Sequence, residues 1–363
     1  MKKNKYILIT LLCLIFISFT SINFANTQSE IIKEKAEVLQ VENIDNEKTN
    51  SIQKVKLKIL TGELKGKIFN VENNLPKNLA FQVKVKPKDK IIVQIEENNN
   101  NQNVYISDHY RLTPIKILVL LFILLLIITG KLKGLKSVIT ISLTLILIFK
   151  VLIPGILNGF NPLLLTTFIT ALITIITIFI ISGLNFKSIS AIIGTIFGVT
   201  IAALISIIVG KLIPITGMMP DEIGMLMYLK EDINFNINHL LFSGIILGAL
   251  GAVMDVGMSI ASSTYEIYLA NPDVSFKRLF KSGMAVGRDI MGTMSNTLIL
   301  AYTGSSVPLL LLLMANSNTD IKYLINMDIV ATEIIRSLAG SIGLILTIPL
   351  TAFITSTLLK KIK

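Results

Sequence analysis

The sequence predicts a mainly α-helical polytopic membrane protein, with about seven transmembrane helices and a small N-terminal extracytoplasmic β domain. Three observations predict it. Of the 363 residues, 52% are hydrophobic and only 16% charged, and mean hydropathy is +0.71, far from the soluble globular norm. Seven apolar blocks that reach spanning length follow one another from Ile115 onward. Ahead of them lies a polar, charge-mixed stretch in which apolar residues alternate two by two.

The chain opens on a basic segment, Met1 to Lys5, an apolar run from Tyr6 to about Phe19, and small residues around Ala25. That order is the signature of a signal peptide over residues 1–25. Asn23 at minus three from a cut after Ala25 makes a poor cleavage box, so an uncleaved anchor stays open. Residues 26–113 read as an extracytoplasmic β-rich domain. Strands are expected at Lys54 to Leu60, Lys67 to Glu72, Leu79 to Lys86, Ile91 to Glu96 and Val104 to Ser107, bounded by Gly62, Gly66, Pro76, Pro87 and the Asn tract. Thr27 to Asn50 lacks apolar periodicity and is expected to be a flexible or weakly helical tether.

Residues 114–363 form the expected multi-span domain. Its blocks run at about 115–130, 136–153, 163–182, 188–213, 238–268, 284–307 and 329–358, with Ser305 to Ala315 either extending the sixth or forming a re-entrant hairpin. With the β domain outside, Lys131, Lys133, Lys136, Lys187, Lys277, Arg278, Lys281, Lys360, Lys361 and Lys363 all fall on the cytoplasmic side. The positive-inside rule asks for this arrangement. The loop with Asp221, Glu222, Glu231 and Asp232 then lies outside.

Composition also excludes function classes. Net charge is +11, but no aromatic-studded basic domain accompanies it, so nucleic acid is not an expected partner. The one cysteine, Cys13, sits in the signal run, and His109 and His239 are isolated. No cofactor, metal site or catalytic residue is expected from such a set. Met254, Met258, Met284, Met291 and Met294 are soft donors, yet methionine is more often a gap-filler of packed cores. Asp255 and Asp289 lack the GxGD pattern of intramembrane aspartyl proteases.

The fifth and sixth blocks hold the chemistry. Gly244, Gly248, Gly251, Asp255, Ser259, Ser262 and Glu266 recur at steps of three and four, on one helical face. In the sixth, Arg288, Gly292, Ser295 and Tyr302 share one stripe, and Asp289, Thr293, Asn296 and Thr303 its neighbour. Gly244 with Gly248, and Gly283 with Gly287, have the spacing of close helix packing, to which Gly251 adds. A charge in a spanning helix costs about 2.5–3.5 kcal/mol even on a mild scale, which marks Asp255, Arg288 and Asp289 as site residues. A substrate or ion pathway is expected along Asp255, Ser259, Ser262, Arg288, Asp289 and Asn296, with Arg288 as counter-ion or gate. Glu333 and Arg336, three apart, are expected to form a structural ion pair.

The run from Gly248 to Glu266, GALGAVMDVGMSIASSTYE, and that from Ser282 to Ser306, SGMAVGRDIMGTMSNTLILAYTGSS, resemble the YibE/F-like family of bacterial membrane proteins. The likeness extends to Glu333 to Gly343, to Gly130 to Leu135, and to Thr61 to Lys67 in the β domain. One departure is Lys86-Pro87-Lys88-Asp89-Lys90, where the family tends to carry glycine in a GDxV-like turn. The resemblance implies a bacterial cell-membrane protein with an extracytoplasmic β domain.

The residues themselves point to a secondary transporter or permease, not an enzyme. The alternative is a membrane scaffold or sensor whose outer domain, residues 26–113, binds an envelope protein. The lipid bilayer is the expected partner in either case, and a homo-oligomer stays open.

Overall fold

The computed structural model describes residues 32–45, 50–76, 82–98, 101–215, 225, 236–315 and 320–361. The signal segment, Leu79 to Phe81 and the acidic loop of Asp221, Glu222, Glu231 and Asp232 lie outside them. Two compact units divide the chain, Met1–Leu125 and Leu126–Lys363.

Alternation builds the first unit. In the run from Gln53 to Ile59, Gln53, Val55, Leu57 and Ile59 are buried while Lys54, Lys56 and Lys58 are exposed, as a strand with one solvated face requires. Five antiparallel strands form the sheet: β1 Ile32–Asp45, β2 Asn50–Ile59, β3 Ile68–Pro76, β4 Lys90–Asn98 and β5 Asn101–His109. Their order is β3-β2-β1-β4-β5, a half-barrel around Val38, Val55, Leu57, Ile91, Val93 and Ile95. Each such fully buried side chain contributes about 1.5–3 kcal/mol.

Two sequence expectations change here. The expected tether contains β1, which pairs with both β2 and β4 and is the central strand. A bulge between Val38 and Gln40 hides it, because the extra residue, Leu39, shifts the inward phase from Ala36 and Val38 to Val41. The turn Lys86 to Asp89 docks at this point, with Val38 N–H donating to Asp89 O at 2.9 Å and Lys88 N–H to Val38 O at 2.7 Å. Lys88 takes φ 73 there, a left-handed conformation that suits glycine far better than lysine, at the place where the sequence departs from the GDxV-like pattern.

The second change concerns the strand expected at Leu79 to Lys86, whose described part pairs with no strand. Side chains take over the ladder's role. Val85 N–H donates to Gln53 Oε1 at 3.0 Å, Gln53 Nε2 donates to Val85 O at 3.2 Å, and Asn73 Nδ2 donates to Val83 O at 2.8 Å. Gln53 is buried, so its loss strands both polar groups of Val85. Gln53→Leu is expected to cost about 1–3 kcal/mol and to speed amide exchange at Val85, read by hydrogen–deuterium exchange on the full chain; unchanged protection would refute this role.

Near the end of β5, Asp108 accepts a charge-assisted bond from Arg111 at 2.6 Å. That bond, with the His109 amide, holds its carboxyl below the usual range.

From Leu112 onward the described chain is helical. Helix α1, Leu112–Leu147, continues through a π turn at Ile148–Leu152 into α2, Ile153–Leu157. Such a 46-residue run would be about 69 Å long, twice a bilayer core. Lys131 interrupts it, with φ 49 and ψ −126. The backbone folds back there, so that a Cβ on Gly134 would overlap the Leu126 carbonyl. After it come α3 Pro162–Ser182, α4 Phe186–Leu212, α5 Ile237–Ala270, α6 Phe276–Met314, the short α7 Ile321–Asn326, and α8 Asp328–Lys360. Among the described residues, six helices are long and apolar enough to cross a membrane, counting Leu112–Leu157 as one; the break at Lys131 accounts for the seventh expected block.

Helix starts follow capping chemistry. Asn161, Asn185, Asn236 and Ser275 accept bonds from amides of the first turns of α3 to α6, and Pro162 needs no donor at its first position. Ser305 to Ala315 is not a hairpin: α6 runs to Met314 through Pro308.

The core of this unit rests on small residues. On α4, Ser190, Gly194, Gly198, Ala202 and Ser206 recur every four residues, all buried, and on α8 Ala339, Gly343, Thr347, Thr351 and Thr355 do the same. The two stripes pack antiparallel. A Cβ on Gly343 would lie 2.5 Å from the Gly198 carbonyl, and one on Gly198 would lie 2.8 Å from the Gly343 carbonyl. Between helices in lipid, such close backbone approach supplies the dispersion contacts that hold them together.

Candidate functional site: the polar faces of α5 and α6

Helix α5 buries Leu250, Val253, Val256, Ile260 and Ala261 against the core and turns its polar stripe the other way. Gly244, Gly248, Gly251, Asp255, Ser259 and Glu266 are exposed, and Ser262 is half-buried with its hydroxyl 3.5 Å from the Met258 sulfur. Asp255 lies near mid-helix, eighteen residues from Ile237 and fifteen from Ala270. On α6, Arg288, Asp289, Gly292, Thr293, Asn296 and Thr297 are exposed, whereas Ser295 and Tyr302 turn inward.

The register of the two helices is antiparallel. Gly283 meets Thr264, Gly287 meets Ile260, and Tyr302 meets Gly248, whose added Cβ would overlap the phenol oxygen. Asp255 therefore sits between the last two contacts. Gly248, Gly283 and Gly287 are thus packing glycines, but Gly244 and Gly251 are not, since a Cβ on either would meet nothing within 4 Å. Arg288 lies well inside its helix: α6 begins at Phe276, twelve residues earlier, or about 18 Å along the axis.

The structure does not join the site residues to one another. Among the described residues, no side-chain hydrogen bond or ion pair links Asp255, Ser259, Arg288, Asp289 or Asn296 to a partner. All five are exposed, Asp255 and Ser259 on α5 and Arg288, Asp289 and Asn296 on α6, with both signs of charge among them. Chemically, such groups can take up ions, water or a polar solute, or be covered by matching groups.

A second polar cluster lies between α6 and α8. Arg336 Nη1 donates to Glu333 Oε1 at 2.8 Å, and the guanidinium carbon stands 5.8 Å from the Tyr302 ring centre, within cation–π range. Glu333 Oε2, Arg336 Nε and the Tyr302 hydroxyl are buried without a hydrogen-bond partner. A groove of about 320 Å³, lined by Thr303, Ser306, Glu333, Ser337 and apolar neighbours, opens beside them. Spacing alone brings Glu333 to Arg336, but Tyr302 joins them only through the α6–α8 crossing.

The buried hydroxyls of Thr195, Thr264, Thr351 and Ser356 also have no hydrogen-bond partner among the described residues, and charge patterning in the sequence does not mark them. Of these, Thr351 belongs to the small-residue stripe of α8 spaced four apart, while Thr195 lies on α4 next to Gly194 of that helix's stripe. The methionines serve packing: Met254, Met284, Met291 and Met294 fill the edge of the core. Among the described residues, no group of three His, Cys, Asp or Glu side chains comes together.

Residues 118–361 match the family described as YibE/F-like protein, and residues 28–109 match the YibE/F family N-terminal domain. No curated protein and no solved structure matches the chain.

Proposed function

From the premise that the chain belongs to the YibE/F-like family, we propose that it is a secondary transporter or permease of the bacterial cell membrane, whose path follows the polar faces of α5 and α6. It performs no chemistry on its cargo. One observation carries the reading: Asp255, Arg288, Asp289 and Asn296 project from helices of spanning length on a side that the fold leaves unpacked. Their cost in lipid is offset only by water, ions or a polar solute along that side, or by matching protein groups.

The β domain is outside and the C-terminus inside. Support comes from the basic end of the helical unit, where Lys187 lies 5.7 Å from the Tyr265 ring and Lys360 lies 5.6 Å from that of Tyr268. Lysine beside tyrosine is the usual furnishing of a cytoplasmic interface.

The test compares metabolites and metal ions in cells with the wild-type chain, without it, and with Asp255→Asn at matched membrane levels. The expected result is that Asp255→Asn reproduces the profile of cells lacking the protein. A wild-type profile would remove Asp255 from the mechanism.

A second reading, an envelope scaffold or sensor, is favoured by the outer face of the sheet. There Gln40, Glu42, Lys54, Lys56, Asn70 and Glu72 line a groove of about 430 Å³ with both charges displayed. Under this reading Asp255→Asn leaves the cellular profile unchanged.

A further inference from the structure

We propose that the polar face of α5 and α6 is the contact between two copies of this chain, related by a two-fold axis along the membrane normal. The inference goes beyond transport and does not depend on it. It starts from how unevenly the helices are covered: in the apolar window of α5, 56% of residues are buried, but in that of α6 only 6%. Elsewhere the outer surface of the helical unit is lipid-compatible, as at Leu164 and Phe168 on α3 and Phe197, Leu204 and Ile208 on α4. The α5–α6 face instead carries Asp255, Ser259, Arg288, Asp289, Thr293, Asn296 and Thr297.

Shape and charge both favour a second copy as the cover. A Cβ at Gly244, Gly251, Gly292 or Gly304 would meet nothing within 4 Å, so a neighbouring helix can come close along this whole face. A two-fold axis along the normal preserves depth, so a self-complementary surface must carry both signs at one level. This one does. Arg288 and Asp289 share a turn of α6, and the register set by Gly287 against Ile260 places that turn beside Ser259, one helical turn from Asp255. Arg288 of each copy therefore finds carboxylates of the other at its own depth, Asp289 level with it and Asp255 within the reach of its side chain. Pairing across the interface replaces two exposed charges per copy with charge-assisted bonds.

The experiment uses the full chain in native membranes, with Cys13→Ser as background and single substitutions Gly251→Cys, Thr293→Cys and Thr297→Cys on the face. Phe168→Cys and Leu204→Cys serve as lipid-facing controls. A short bis-maleimide should yield covalent dimers at the first three positions and at most a tenth as much at the controls. Arg288→Asp should cut the dimer yield at Thr297→Cys at least tenfold, and Arg288→Asp with Asp289→Arg should restore it. Equal yields at face and control positions would overturn the proposal. So would cross-links to a different protein, or absent cross-links together with labelling of Thr293→Cys by a membrane-impermeant thiol reagent, which would mean a water-filled path in a single copy. That last outcome sinks the dimer and leaves the transport reading standing, whereas a dimer with an unchanged cellular profile for Asp255→Asn does the reverse.

Discussion

Gly198→Leu is expected to destroy the folded helical unit, while Gly130→Leu leaves it intact. Both glycines are helical and neither has a positive φ, so the difference lies in what surrounds them. At Gly130 a Cβ would meet nothing within 4 Å; at Gly198 it would overlap the Thr347 hydroxyl and stand 2.8 Å from the Gly343 carbonyl and 2.9 Å from a Val253 methyl. Thr347 and Val253 can adjust. The carbonyl belongs to a buried helix backbone and cannot swing aside, so α4 and α8 must separate. Overpacking costs about 1–3 kcal/mol when side chains absorb it, and more where the backbone must move. The separation also takes with it the small-residue contact on which helix association in lipid depends. The measurement is the yield of monodisperse protein after mild detergent extraction, and its midpoint of thermal aggregation. Gly198→Leu should give little or none, and a midpoint within a few degrees of wild type for both variants would refute the assignment of this helix pair as the core.

The contrast explains which parts of the fold the sequence discloses. Hydropathy and breaks locate the spanning helices because length and apolarity are local properties. The reversal at Lys131 also falls where the basic residues Lys131, Lys133 and Lys136 separate two apolar blocks. Strand β1 escapes because its alternation changes phase at the bulge, and the run at Leu79 to Lys86 misleads because its described backbone is held by Gln53 and Asn73 rather than by a strand. Glycine spacing likewise cannot tell a packed face from an open one. Gly194 and Gly198 have the same spacing as Gly244 and Gly248, yet both of the first pair sit against α8, while Gly244 faces open space. For the site, periodicity identifies which residues share a face of α5 and of α6. It does not say that these faces turn away from the core, because direction is set by the contact of α4 with α8, made between residues about 150 positions apart in sequence.

Arg336→Met is expected to destabilise the helical unit by about 3 kcal/mol, the lower end of what breaking a buried ion pair costs. The lower end applies because the Glu333 and Arg336 side chains keep 20% and 23% of their exposure. Without the guanidinium, Glu333 loses its 2.8 Å bond while Oε2 is already without a partner, and Tyr302 loses the cation over its ring. Glu333→Gln combined with Arg336→Met should recover most of the loss, since removing both charges lifts the desolvation cost that one alone leaves behind. Arg336→Lys keeps the charge but not the planar fork that reaches Glu333 and stacks on Tyr302, and should fall between the two. Denaturation of detergent-purified protein in a double-variant cycle gives the coupling directly. A double variant as unstable as Arg336→Met alone would mean that the two residues act separately, and the ion pair would then be incidental to the packing of α6 on α8. A double variant that recovers its stability yet gives the cellular profile of cells lacking the protein would instead move these charges, and the groove beside them, into the transport path.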